Sequence, residues 1–263
     1  MFAGFNFKPN REDLEKLNPF EVYTKLMPCH YNVNKTAITA GLKKYLSLDG
    51  SLDAAAMEKD WFPEINAQVF ISHSHQDENL ANQLALWLYE KHGIVSFIDS
   101  TVWHYADDLL REIDEAYCIQ MTPNGNLEYD YIKRNRSTAH VHMLLQCALA
   151  KMIDKCESFI FINTANSTIS SDRTLSPWIY SELLMANILR RRLPERHEKL
   201  LEESTKLAEL KIAYPAYHKS LQPLTLGDID LAKKATGTTD ATNSEDAGKI
   251  LDQLYINKGL IKR

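Results

Sequence analysis

The feature that most constrains this chain is a pair of short β-forming runs separated by one amphipathic helix. Val69-Phe70-Ile71-Ser72 is apolar, too short for a helix and rich in β-formers, so it reads as a buried strand. A polar loop, His73-Ser74-His75-Gln76, follows, and Asp77 is expected to cap the next helix through its carboxylate. In that helix Leu80, Leu84 and Leu88 fall on one stripe, and Gly93 stands where a helix commonly ends. Residues 94–98 then form a second strand. Strand, helix and strand within about thirty residues make a βαβ unit, which dictates a parallel sheet with right-handed crossovers.

The pattern continues downstream. Residues 106–116 read as a short helix, and 120–136 as an insertion shaped like a small hairpin, with Pro123-Asn124-Gly125-Asn126 as its turn. A helix is expected over 137–155, with Leu144, Leu145, Ala148, Leu149 and Met152 on one face. Ser158-Phe159-Ile160-Phe161-Ile162 is the third strand. A long Ser/Thr/Asn loop leads to Pro177, which suits the first position of a helix because its missing N–H has no partner there. Residues 194–210 read as a charged helix and 211–214 as a shorter strand. Residues 236–247 are a polar loop and 250–260 a final amphipathic helix. Residues 1–66 carry helical patches around 11–17, 19–26 and 36–46 and are expected to be a helical N-terminal extension. Residues 215–263 form a C-terminal extension.

The order of these pieces resembles the TIR (Toll/interleukin-1 receptor) domain family. Val69–Ser72 with its polar loop and Asp77 is similar to the family's first strand and loop. Gly93-Ile94 leading to Phe97-Ile98-Asp99 is similar to the second, and Ser158–Ile162 to the third. Ser176-Pro177-Trp178-Ile179-Tyr180-Ser181-Glu182 resembles the helix start that carries Trp-x-x-x-Glu. The resemblance covers about 120 of the 263 residues. It departs from the family pattern in three places. The loop after Asp99 has no glycine, His73 and His75 stand where relatives offer Tyr and Arg, and the 120–136 insertion is long.

The resemblance implies a flavodoxin-like α/β TIR domain over 67–214, with about five parallel strands and its site at the strands' carboxyl ends. It implies an NAD nucleosidase of hydrolase or cyclase type, with Glu182 as the catalytic carboxylate and NAD as substrate rather than cofactor. Ligand contacts are expected from Phe70, Ser72, His73, Ser74, Asp99, Trp103, Asn163 and Trp178. Trp103 and Tyr105 either stack on substrate or cover the core or a neighbouring subunit. The product is expected to be ADP-ribose or a derivative, acting as a signal to a separate effector in bacterial antiphage defence of the Thoeris kind. Self-association through the TIR domain is implied as well. The alternative is a non-catalytic TIR scaffold.

The chemistry asks little of the protein. The nicotinamide leaving group already carries its charge and departs neutral, so one fixed carboxylate beside the ribose cation suffices, unlike the two carboxyl groups of ordinary glycosidases. The net charge of −5 gives no basic face for nucleic acid. No apolar run approaches the ~20 residues that span a bilayer. The four cysteines have neither zinc nor disulfide spacing, and His140 and His142, two apart on a helix, diverge. No metal is expected, and the chain reads as a cytoplasmic protein.

Overall fold

A computed structural model describes residues 1–18, 42–100, 106–169, 173–189, 191–192, 194, 221–238 and 244–261. In chain order the elements are β1 (Ala3–Phe7), α1 (Arg11–Leu17), α2 (Ala54–Trp61), β2 (Val69–Ser72), α3 (Glu78–His92), β3 (Ser96–Ile98), α4 (Ala106–Tyr117), β4 (Ile119–Met121) and β5 (Leu127–Tyr129). There follow α5 (Tyr131–Lys155), β6 (Ser158–Ile162), α6 (Pro177–Ile188), β7 (Gln222–Leu224), α7 (Leu226–Thr236) and α8 (Ser244–Asn257). The chain divides into two compact units. The first holds residues 1–29, 66–98 and 153–263, and the second holds 30–65 and 99–152. The last residues of α5 belong to the first unit.

The first unit is built on a five-stranded sheet in the order β3-β2-β6-β1-β7, parallel throughout and flanked by helices. This is an α/β architecture consistent with a flavodoxin-like fold. The three strands expected from the βαβ pattern occupy one side of the sheet. The next position is held by Ala3–Phe7, which pairs with all five residues of β6 and with β7. The N-terminal segment, expected to be a helical extension, instead begins with an interior strand. Asn10 ends the β1 segment by opening α1 with a reciprocal capping box to Asp13. The expected helices at 19–26 and 194–210, and the expected strand at 211–214, fall outside the described residues, apart from Pro194.

Why these runs become strands is visible in their burial. Every residue of β2 and β6 is buried, as expected for parallel strands covered on both faces. Phe70 lies between Phe97 and Phe159, ring centroids 5.2 and 5.5 Å away, and all three rings are fully buried. The C-terminal segment is also part of this core. Ile250, Leu251, Leu254 and Tyr255 of α8 are buried, Tyr255 stacks on Phe5, and its hydroxyl hydrogen-bonds Ser158 Oγ. Gly93 closes α3 with a left-handed φ of 66°, as the sequence predicts.

His92, the last residue of α3, is buried edge-on against Trp87, and its Nε2 lies 3.3 Å from Asp230 Oδ1. Neither ring nitrogen completes a hydrogen bond among the described residues. Burial, outweighing the attraction of Asp230, holds the imidazole below its ordinary pKa. The unfolded chain protonates this residue near pH ~6.5, whereas the folded chain does so only at lower pH. Stability contributed by neutral His92 is therefore present above that value and is lost as pH falls through the window beneath it. We expect the urea midpoint to fall between about pH 7 and pH 5, and His92→Phe to flatten that fall. An unchanged slope in the variant assigns the acid sensitivity elsewhere.

In the second unit, α4 and α5 are joined through the β4–β5 hairpin. The carboxylate of Asp114, itself buried, accepts from Arg134 Nε at 2.9 Å and from Ser137 Oγ, and Cys118 Sγ approaches Ser137 Oγ at 3.8 Å. Burial alone raises the Asp114 pKa, but the Ser137 and Arg134 hydrogen bonds outweigh it and hold the group below its ordinary value. The 120–136 insertion is thus a hairpin as far as Tyr129 and helix from Tyr131. Helix α5 starts at Tyr131, six residues earlier than the apolar periodicity indicates, because Asp130 accepts from Lys133 N at 3.0 Å. Among the described residues, no helix is long and apolar enough to cross a membrane.

Candidate functional site

The connections of the sheet define where a site can form. From β2 the chain moves outward to β3, whereas from β6 it passes beyond β1 to β7 at the opposite edge. The crevice between the carboxyl ends of β2 and β6 is therefore the switch point of the sheet, the usual place for ligands in such folds. Ser72 ends β2 and is level with Phe161 of β6.

Helix α6 presents its glutamate toward this point because its start is tightly specified. Ser176 Oγ accepts from Ile179 N at 3.2 Å, and Pro177 occupies the first turn without wasting a donor. Glu182, on the second turn, is only 2% exposed. Its Oε2 accepts from Ser72 Oγ at 2.5 Å, and Ser72 is itself fully buried. Two residues 110 apart in sequence are thereby joined between a strand end and a helix face. A buried carboxylate in this setting acts through a low local dielectric, which strengthens its effect on any nearby positive charge.

The loops after β2 and β6 are stitched to each other. Asp77 is buried and accepts from Thr164 Oγ1 at 2.5 Å and from Asn166 Nδ2 at 2.8 Å. This corrects the expected role of Asp77. It stands at the N-cap position of α3 but makes no side-chain cap bond. Its carboxylate reaches across to the other loop, where two side-chain donors replace the backbone donor of a cap. Asn163 is held from both sides. Its N–H donates to Phe7 O at 2.8 Å, and its Oδ1 accepts from Thr168 Oγ1 at 3.0 Å. Ser167 Oγ accepts from Thr164 N and closes the turn. The sequence reading singles out Asp77 but not its polar partners Thr164 and Asn166, nor Thr168. A Thr-x-Asn-Ser-Thr run after a buried strand is their one local signal.

Of the expected ligand residues, Ser72 and Glu182 meet directly, and His73 and Asn163 follow the two strand ends that face them, both buried. Ser74 is half-buried and opens a 3-10 turn, its carbonyl accepting from Asp77 N at 2.7 Å. Trp178 is half-buried, one helical turn before Glu182. Phe70 requires correction. With no exposed surface and rings on both sides, its side chain packs the sheet and offers no face to a ligand. Asp99 follows β3 at the start of the second unit. Trp103 and Tyr105 fall outside the described residues.

A separate cavity of about 280 Å³ opens within the second unit, lined by Tyr117, Cys118, Lys133, Arg136, Ser137 and His140 among others. None of the expected ligand residues lines it. Comparison with protein-family models, with curated proteins and with solved structures gives no match.

Proposed function

We propose that this chain is a TIR-type enzyme that cleaves NAD between nicotinamide and ribose, with Glu182 as the catalytic carboxylate. One observation carries this reading: the buried Glu182–Ser72 pair at the switch point of a parallel sheet. In the reaction the ribose C1′–N bond breaks and its electron pair neutralises the nicotinamide ring. The ribose is left as an oxocarbenium-like centre, stabilised by the Glu182 carboxylate. Water adds to that carbon and loses a proton, which gives ADP-ribose; a nucleophile within the same molecule gives a cyclised product instead. Ser72 orients the carboxylate through its hydroxyl. The linked 73–77 and 163–169 loops provide hydroxyl, amide and backbone groups for a diphosphate and ribose.

The same reading includes an intracellular setting, self-association and a product that acts as a signal on a separate effector, as in antiphage defence. The deep burial of Glu182 favours a second reading, in which the pair with Ser72 is a structural latch and the chain is a binding module without turnover. Incubating the purified full chain with NAD, and following nicotinamide by chromatography and the second product by mass, separates the two. Release of nicotinamide that depends on Glu182 supports the enzyme. No release at any protein concentration leaves the binding module.

A further inference from the structure

The β4–β5 hairpin exposes a complete apolar face. Its register sets Ile119 opposite Tyr129 and Met121 opposite Leu127. Directly opposed residues in an antiparallel pair, and residues two apart on one strand, share a face. All four side chains therefore project from the same side, with Gln120 and Glu128 on the other. They are 39%, 46%, 74% and 68% exposed in that order, so the described residues leave much of this face open. Tyr131 and Ile132, at the start of α5, add further exposed apolar surface at 77% and 64%.

A two-stranded ribbon is marginal in water unless another layer packs on it. The root of this one is anchored: Arg134 lies over the Tyr129 ring at 4.8 Å and pairs with Asp114, and Asp130 N donates to Cys118 O at 2.7 Å. The tip, at Met121 and Leu127, stands free. An exposed apolar face on a fixed ribbon marks an interaction surface.

We infer that this face is a self-association surface, on which a second copy of the chain packs its own hairpin about a twofold axis. Three observations select a second copy as the occupant. No charged residue occurs from 116 to 127, so two identical faces meet without like-charge repulsion. Around them stand Glu128 and Asp130 with Lys133, Arg134 and Arg136; Arg134 is paired with Asp114, which leaves two charges of each sign for a twofold axis to bring into opposition. That balance also gives the patch no positive field to draw it to an anionic lipid surface. Finally, with ~200 Å² for each side chain of this size, the four hairpin side chains leave roughly 450 Å² exposed and Tyr131 and Ile132, next in the chain, a further ~280 Å², a sum that approaches the ~800 Å² per partner of a standard interface. The inference rests on the self-association that the proposed reading includes and gives it a surface, and it is tested separately from NAD cleavage.

Sedimentation of the purified full chain from roughly 1 to 100 μM, the range expected for an interface of this size, tests it. The wild type is expected to pass from monomer to dimer. Met121→Lys and Leu127→Lys are each expected to remain monomeric across the range, with unchanged circular dichroism and melting, because both positions are already exposed. A wild type that stays monomeric overturns the inference, as does either variant dimerising like the wild type. A monomeric wild type that co-sediments with phosphatidylserine vesicles assigns the face to a lipid surface instead.

Discussion

Replacing Glu182 by glutamine is expected to reduce nicotinamide release at least ~100-fold, about 2.7 kcal/mol of barrier, while the folded state is kept. Glutamine has the same shape, and its side-chain carbonyl still accepts from Ser72 Oγ, so the link between β2 and α6 survives. What is lost, on the proposed reading, is the negative charge beside the ribose cation. Glu182→Ala removes the charge and also leaves the buried Ser72 hydroxyl without this acceptor. That adds a stability cost of ~1–3 kcal/mol to the loss of activity. The glutamine variant is therefore the cleaner measurement. Equal turnover by wild type and Glu182→Gln removes this carboxylate from the chemistry and returns it to the role of a latch.

Phe70→Ala is expected to destabilise the first unit by ~3–5 kcal/mol, read as a lower urea midpoint. The cost follows from its position. The ring is fully buried between Phe97 and Phe159, and neither neighbour can close the space without shifting its own paired strand. Phe70→Leu, which keeps most of the volume, is expected to recover most of that loss. A residue that touched substrate instead would change KM with little change in the midpoint. A Phe70→Ala chain of wild-type stability contradicts the packing account.

Both predictions concern residues whose importance is legible locally but whose role is not. Phe70 sits in a β-forming run that announces a buried strand, yet nothing in that run distinguishes a ring that packs from a ring that meets a ligand. Glu182 stands on a helix whose start, Ser176-Pro177, is evident from the chain. Its burial depends on Ser72, 110 residues away. Asp77 shows the same limit from the other side. Its position at a helix start is readable, but its carboxylate has better donors in Thr164 and Asn166 than in the backbone of its own helix.

The sequence by itself determined the elements whose signals act over a few residues. These are the strands β2, β3 and β6, the left-handed stop at Gly93, the capped start of α6 and the hairpin turn in the insertion. Only the tertiary structure decided which strands are neighbours. Ala3-Gly4-Phe5-Asn6-Phe7 is short and has weak β-formers at Ala3, Gly4 and Asn6, and it becomes an interior strand because β6 and β7 offer it hydrogen bonds and α8 covers it with Tyr255. Capping and turn formation are settled by contacts within one or two turns of chain. Strand order and carboxylate partners are settled by burial and hydrogen-bond satisfaction summed over the whole unit, which no local run of residues encodes.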